Sequence, residues 1–491
     1  MMNRFIIKLH RILGTLLSML FLMWFLSGLV MIYHTFPRLS VSRKMEKQAA
    51  LDNNLPSLQQ LLSTIAIPSD SILSLSVEKQ AGKTSFTLKT ASDEIRCYAD
   101  SNRIIPYTKV NPAQLSLIAA PYSQGEIASV DSINAIDVWI PYPRMKKDMP
   151  VYKFHFASDK KETLYLSSRT GDALQLTDKD SRFWAWLGPI PHWVYVVTLR
   201  DTNNGKAWVD TVLWLSGFCC FACLLGIIVG IRVYYRNWKR SKTIASPYKK
   251  PVYKWHHITG FVFGLFVLTW MFSGYMSLQK VPEWMIPVHH QSKTDTDIQG
   301  GILDPAGFHS DYRQLVRSCD SIKRIEWIRI GNRPLYKVYT DNTTRLMTVS
   351  GSYPRLFTLD KDFCKKLVQA IHPENNLSAE EITAYDNHYI SRKKALPLPV
   401  YRVQVDNKDR SAYYIEPQTG YTRYYNNNTR MRHFLYMGLH TLYFPWMANH
   451  TLLWSIMVWI LMTGGTICSA TGVWLGFKYI KRKSRRKKRQ E

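Results

Sequence analysis

Four apolar runs, at 12–33, 211–231, 258–278 and 452–477, constrain this chain more than any other feature of it. Each holds about 20 predominantly apolar residues without a central charge, enough to cross a ~30 Å hydrocarbon core at 1.5 Å per residue. The first is too long for a signal peptide and has no small-residue cleavage site after it. The same pattern returns at residue 254, where no signal peptide can lie. The sequence predicts a four-helix integral membrane protein. Between the runs lie two polar segments, 35–207 and 279–449, each long enough to bury a core of its own.

Charge gives these spans a direction. The net charge is +28, from 64 Lys+Arg against 36 Asp+Glu. Much of the excess sits beside the apolar runs: Arg4, Lys8 and Arg11 at the start, residues 232–250 in the middle, and the closing KYIKRKSRRKKRQ. That placement reads as the cytoplasmic Lys/Arg bias of helix ends and not as a nucleic-acid surface. Both termini and the short middle loop are then cytoplasmic, and both polar segments lie outside. The seven cysteines are too scattered for a disulfide framework, and Cys219, Cys220 and Cys223 fall inside an apolar run as small core residues. No C-x-x-C-H occurs, so covalent c-type haem attachment is excluded.

The chain also resembles itself. LHRILGTLLSMLFLMWFLSGL aligns with WHHITGFVFGLFVLTWMFSGY, so His10, Gly14, Trp24, Ser27 and Gly28 return as His256, Gly260, Trp270, Ser273 and Gly274. Asp137 and PVYKFHFASDKKETLYLSSRTG correspond to Asp386 and PVYRVQVDNKDRSAYYIEPQTG. Alternation in both predicts a strand, a polar turn and a second strand ending at Gly171 or Gly420. His192-x-x-Tyr195 corresponds to His440-x-x-Tyr443, and the closing spans share Gly226/Gly230 and Gly472/Gly476. The expected fold is membrane α-helical, four spans in a parallel tandem repeat, with two extracytoplasmic α+β domains. Its parts are a first helix in 1–34, a first outer domain in 35–181, and an approach segment with the second helix in 182–235. A cytoplasmic loop at 236–253, a third helix in 254–279, a second outer domain in 280–430, an approach segment with the fourth helix in 431–480, and a basic tail at 481–491 complete it.

The histidines are the candidate chemistry. The self-similarity singles out His10 and His256 at the cytoplasmic ends of spans one and three, and His192 and His440 just before spans two and four. Two equivalent imidazoles facing each other at one depth can ligate a haem iron axially, and two such sites would make an electron path across the bilayer. The plainer alternative is that these are amphipathic residues at the membrane interface. His34, His257, His433 and His450 are reserve ligands; His155, His289, His290, His309, His372 and His388 read as ordinary outer-domain residues. Asp137 and Asp386 read as turn formers sooner than as substrate contacts. No phosphate loop, dinucleotide fingerprint, H-E-x-x-H or nucleophile elbow is present.

Taken together, H-R-I-L-G, the P-V-Y…T-G strand pairs, W-L-G-P-I-P-H-W-V-Y and G-L-H-T-L-Y-F resemble the PepSY-associated transmembrane family, over nearly the whole chain. Its members include iron-regulated membrane proteins and ferric-siderophore reductases of the bacterial inner membrane. The resemblance implies PepSY-type outer domains in the periplasm, and b-type haems, two by the count of histidine pairs, held by membrane histidines. It carries the ligand role onto His10, His256, His192 and His440. Electrons would pass from a cytoplasmic or quinol donor, itself unidentified, to a ferric chelate or siderophore outside, with no catalytic side chain assigned. The alternative is a non-enzymatic, membrane-anchored PepSY module that binds or inhibits a peptidase or senses the envelope. A transporter finds little support in spans that lack buried charge.

Overall fold

The computed structural model describes residues 2–65, 71–341 and 343–487; the last four residues of the expected basic tail lie outside it. Among the described residues three helical stretches are long and apolar enough to cross a membrane: Arg4–Met31, Val197–Ser241 and Thr451–Arg485. The expected third span is not one helix. It is a pair, Pro251–Val262 and Gly264–Ser277, bent by 63°. Gly260 and Gly264 flank the break, and the Phe263 ring at the break is seated on Gly464 of the last helix. A Cβ at Gly464 would stand 2.4 Å from Phe263 Cδ2. The sequence shows an apolar run of the right length, but run length cannot register a bend imposed by packing.

The bundle packs on small residues. A Cβ at Gly465 would lie 2.2 Å from Phe25, and one at Gly476 would lie 3.3 Å from Thr15, so the first and last helices approach closely along their length. Phe21, Trp24, Phe25, Cys219, Val267, Trp270, Met271, Leu461 and Met462 fill the interior between the helices.

The polar segments form three antiparallel sheets, with strands numbered in chain order. The first sheet has eight strands in the order β12 (Leu356–Phe357), β11 (Thr344–Thr348), β10 (Arg333–Tyr339), β9 (Arg324–Ile330), β1 (Ser74–Gln80), β2 (Lys83–Lys89), β3 (Glu94–Ala99) and β4 (Ile104–Tyr107). Its centre joins β1 to β9, with Leu75 opposite Trp327 and Val77 opposite Ile325. The remaining two have four strands each. One is β5 (Glu126–Ile133), β6 (Val151–Ala157), β7 (Thr163–Ser167) and β8 (Ala173–Thr177); the other is β13 (Leu377–Ile382), β14 (Val400–Val405), β15 (Ala412–Ile415) and β16 (Thr422–Tyr425).

The expected fold class is therefore corrected. Three helices and a bent pair replace four spans, and the two polar segments are not two self-contained domains in a tandem repeat. The first strands of each segment pair edge to edge in one continuous sheet, and Leu75, Val77, Phe86, Trp327 and Tyr336 share one core across the join. Pairing removes the exposed strand edges that two separate sheets would present. The local hairpins follow the sequence: β6–β7 and β14–β15 are antiparallel pairs, and Gly171 and Gly420, each at φ +71°, make the turns that follow. Gln80 at the end of β1, and Gln299 bridged to Ile330 at the end of β9, donate to the carbonyls of Thr170 and Gly420 at these turns.

Candidate functional site

The four singled-out histidines come together as two facing pairs. His10 lies on the Met2–Met31 helix and His256 on Pro251–Val262; their ring centres are 6.5 Å apart with the planes tilted by 33°. His192 closes the short helix Pro189–His192 and His440 sits in Leu439–Thr441; their ring centres are 6.1 Å apart, tilted by 69°. Short elements can hold the second pair because their backbones are fixed locally. Gly188, Pro189 and Pro191 turn the chain before His192, and a π-turn over Phe434–Gly438 precedes His440.

All four rings are oriented through the same atom. His10 Nδ1 lies 3.2 Å from the Ala222 carbonyl, and His256 Nδ1 lies 3.1 Å from both the Cys468 carbonyl and Thr471 Oγ1. His192 Nδ1 is 3.2 Å from the Trp24 carbonyl and 3.1 Å from Ser27 Oγ; His440 Nδ1 is 3.0 Å from Ser273 Oγ. A carbonyl can only accept, so in His10, His192 and His256 the proton sits on Nδ1. Nε2 is then the lone-pair nitrogen, the arrangement that orients an imidazole as a metal ligand.

Each ring also rests against a glycine. A Cβ at Gly226 would stand 2.9 Å from His10 Cε1, and at Gly28 3.4 Å from His192 Cε1. At Gly472 it would stand 3.5 Å from His256 Cε1, and at Gly274 3.9 Å from His440 Cε1. The indole nitrogen of Trp24, beside the His192 anchor, is buried without a hydrogen-bond partner.

The ring separations leave room for one metal ion that the two imidazoles of each pair would hold. A metal–imidazole bond of about 2.0–2.1 Å on each side, plus about 1.1 Å from Nε2 to the ring centre, puts the two centres about 6.3 Å apart. The observed 6.5 and 6.1 Å bracket that value. Among the described residues no group of three His, Cys, Asp or Glu side chains converges on a point where an ion could sit. Each pair is thus a two-ligand set, which suits a haem iron whose other four bonds come from its ring. Trp24 and Ser27 lie 14 and 17 residues beyond His10, so the two pairs are about 21–26 Å apart along the first helix.

The reserve histidines are engaged elsewhere. His34 stacks on Trp184 at 4.1 Å, and His257 stacks on Tyr234 at 4.3 Å with Nδ1 3.0 Å from Ser246 Oγ. His433 closes the helix Asn427–His433, and the His450 carbonyl accepts the first hydrogen bond of the last helix from Trp454. Among the described residues none of the four makes a ring contact with a second imidazole.

Asp137 and Asp386 are turn formers. Asp137 accepts from the N–H groups of Trp139 and Ile140 and from the Tyr165 hydroxyl; Asp386 accepts from those of His388 and Tyr389 and from the Tyr414 hydroxyl. Burial alone would raise the Asp386 carboxyl. The Tyr414 hydroxyl, the two N–H groups and the Arg402 guanidinium outweigh it and hold the group below the usual carboxylate range.

Sequence reading missed one cluster. His290 and His372, 82 positions apart in the sequence, have ring centres 4.4 Å apart beside Tyr413. No spacing signal marks a contact made only by the tertiary fold. No protein-family model matches the chain, and no curated protein matches it.

Proposed function

We propose that this protein is a di-haem b membrane electron-transfer protein, His10 and His256 holding one haem iron and His192 and His440 the other. The observation that carries the reading is the pair of ring separations, 6.5 and 6.1 Å, with Nδ1 anchored in every ring. When bound, haem supplies a one-electron centre whose potential the protein tunes. The chain's own part is to fix two imidazoles on each side, to exclude water with Phe, Trp, Met and Leu side chains, and to set the distance between the pairs.

The basic ends support a direction of transfer. Arg4 and Lys8 precede His10 on its own helix and Arg11 follows it, and Lys239, Arg240 and the 478–483 run extend the two helices that His10 and His256 touch. By the positive-inside tendency the His10/His256 end is cytoplasmic, and the sheets lie in the periplasm of an inner-membrane protein. Electrons then enter from a cytoplasmic or quinol donor and leave at the His192/His440 end. The substrate class is a ferric chelate, a siderophore complex in keeping with the resemblance to PepSY-associated reductases. Reduction weakens such complexes because hard oxygen donors favour the ferric ion.

The test is ferric-chelate reduction by protein in sealed vesicles, with a ferrous-specific dye outside and reductant inside. Reduction that requires His10 and His192 supports the reading. Equal rates in protein-free vesicles would return the chain to the peptidase-binding or sensing alternative.

A further inference from the structure

In the β13–β16 sheet region, His290 and His372 line an open cleft of about 570 Å³, and the buried Tyr413 hydroxyl lies within reach of both imidazoles. His372 Nε2 lies 3.0 Å from the Tyr413 hydroxyl, and His290 Nε2 lies 3.5 Å from the same oxygen. A phenol has one proton, and 3.5 Å is too long for a good O–H···N hydrogen bond. Yet both separations are ordinary edges of a metal's coordination shell: bonds of 2.0–2.1 Å at tetrahedral angles put neighbouring ligand atoms about 3.3 Å apart. The ring centres of the two imidazoles lie 4.4 Å apart, which with the same bonds corresponds to an angle of about 90° at the ion, narrower than tetrahedral.

The histidines are held there by buried polar contacts. The Asp409 carboxylate, 2% exposed, accepts from the backbone N–H of His289 and of His290 and from His289 Nδ1. The His290 carbonyl accepts from the Tyr424 hydroxyl. His372 caps the helix Lys361–Ile371 and is itself buried. The sheet does not need this trio in order to fold. In the β5–β8 sheet Leu164 faces Phe154 in the neighbouring strand, at the place where Tyr413 faces Val403, and no imidazole pair accompanies it.

We propose that His290, His372 and Tyr413 form a site for one divalent first-row transition-metal ion of the zinc or copper class. Two imidazoles are the borderline donors such ions take, and the tyrosine oxygen is the third ligand. Among the described residues no three His, Cys, Asp or Glu side chains form such a group; the tyrosine supplies the missing donor. On binding, the phenol proton leaves to solvent and the oxygen takes up the metal–oxygen bond. The cleft, also lined by Asn375 and Asp406, gives the ion its entry path and room for an exchangeable fourth ligand. This site is independent of the haem reading.

The experiment is Zn²⁺ titration of full-length, detergent-purified protein without a polyhistidine tag and after chelator treatment. Calorimetry is read together with zinc counted by elemental analysis. One Zn²⁺ per chain is expected, with affinity lowered at least about 10-fold in His372→Ala, His290→Ala and Tyr413→Phe. His155→Ala, in the other four-stranded sheet, is expected to bind as the unaltered chain does. Thermal melting identifies any variant that fails to fold, and His290→Ala, only half-buried, keeps the test open if His372→Ala does. No stoichiometric zinc, or zinc binding unchanged in folded His290→Ala and Tyr413→Phe, would overturn the proposal.

Discussion

The two histidine pairs are alike in separation and unlike in support. His10 rides on the long first helix and His256 on the first arm of the bent pair, Pro251–Val262, and their anchors, the carbonyls of Ala222 and Cys468, belong to the two other long helices. His192 and His440 sit on short pieces of three or four residues, and their anchors are the Trp24 carbonyl and the hydroxyls of Ser27 and Ser273. The first pair is placed by helix packing, so its geometry is as rigid as the bundle. The second is placed by turns and side-chain hydrogen bonds, so it is the more adjustable. Two sites with equal ligands can differ in potential when the surroundings of those ligands differ.

Removing a ligand breaks the comparison most directly. His10→Ala or His256→Ala is expected to remove one of two haem equivalents and leave the other, and His192→Ala or His440→Ala the converse. Loss of both from each single substitution would show one shared site. Next come the glycines. Gly226→Ala puts a methyl group 2.9 Å from His10 Cε1, against 3.4 Å for Gly28→Ala at His192 and 3.9 Å for Gly274→Ala at His440. Haem occupancy should fall most in Gly226→Ala and stay near unaltered in Gly274→Ala; the reverse order, read by absorbance per chain, would contradict the packing account.

Smaller still are the anchors. Ser27→Ala or Ser273→Ala removes a hydroxyl from an Nδ1 of the His192/His440 pair. It should weaken haem retention there by about 10-fold or shift that centre's midpoint potential, leaving the other centre alone. A shift of the His10/His256 centre instead would break the assignment. The smallest effect on either pair is expected from Asp386→Asn, a loss of about 1–3 kcal/mol confined to the sheets. The folded Asp386 carboxyl titrates below its ordinary 3.8, so its contribution is present above that pH and lost as pH falls through the folded value. The variant should therefore lose part of its acid sensitivity in a melting series while keeping both haem signals.

Local features were legible in the sequence and tertiary ones were not. The β6–β7 and β14–β15 hairpins follow from alternation and a glycine turn, and the pairing of His10 with His256 follows from equivalent positions on similar segments. The bend at Phe263 escaped because the run 258–278 is apolar throughout, and the break depends on a ring packed against Gly464. The merged eight-stranded sheet escaped because each polar segment is long enough to stand alone. What joins them is the pairing of Leu75 with Trp327, a contact with no local signature. Tyr413, His290 and His372 were hidden for the same reason.

The most direct measurement is the absorption spectrum of detergent-purified protein from haem-sufficient cells, oxidised and dithionite-reduced, with haem counted per chain. The account predicts a reduced b-type spectrum at two haems per chain, falling to one in His10→Ala and to one in His192→Ala. A colourless protein, or a haem content that neither substitution changes, would contradict it.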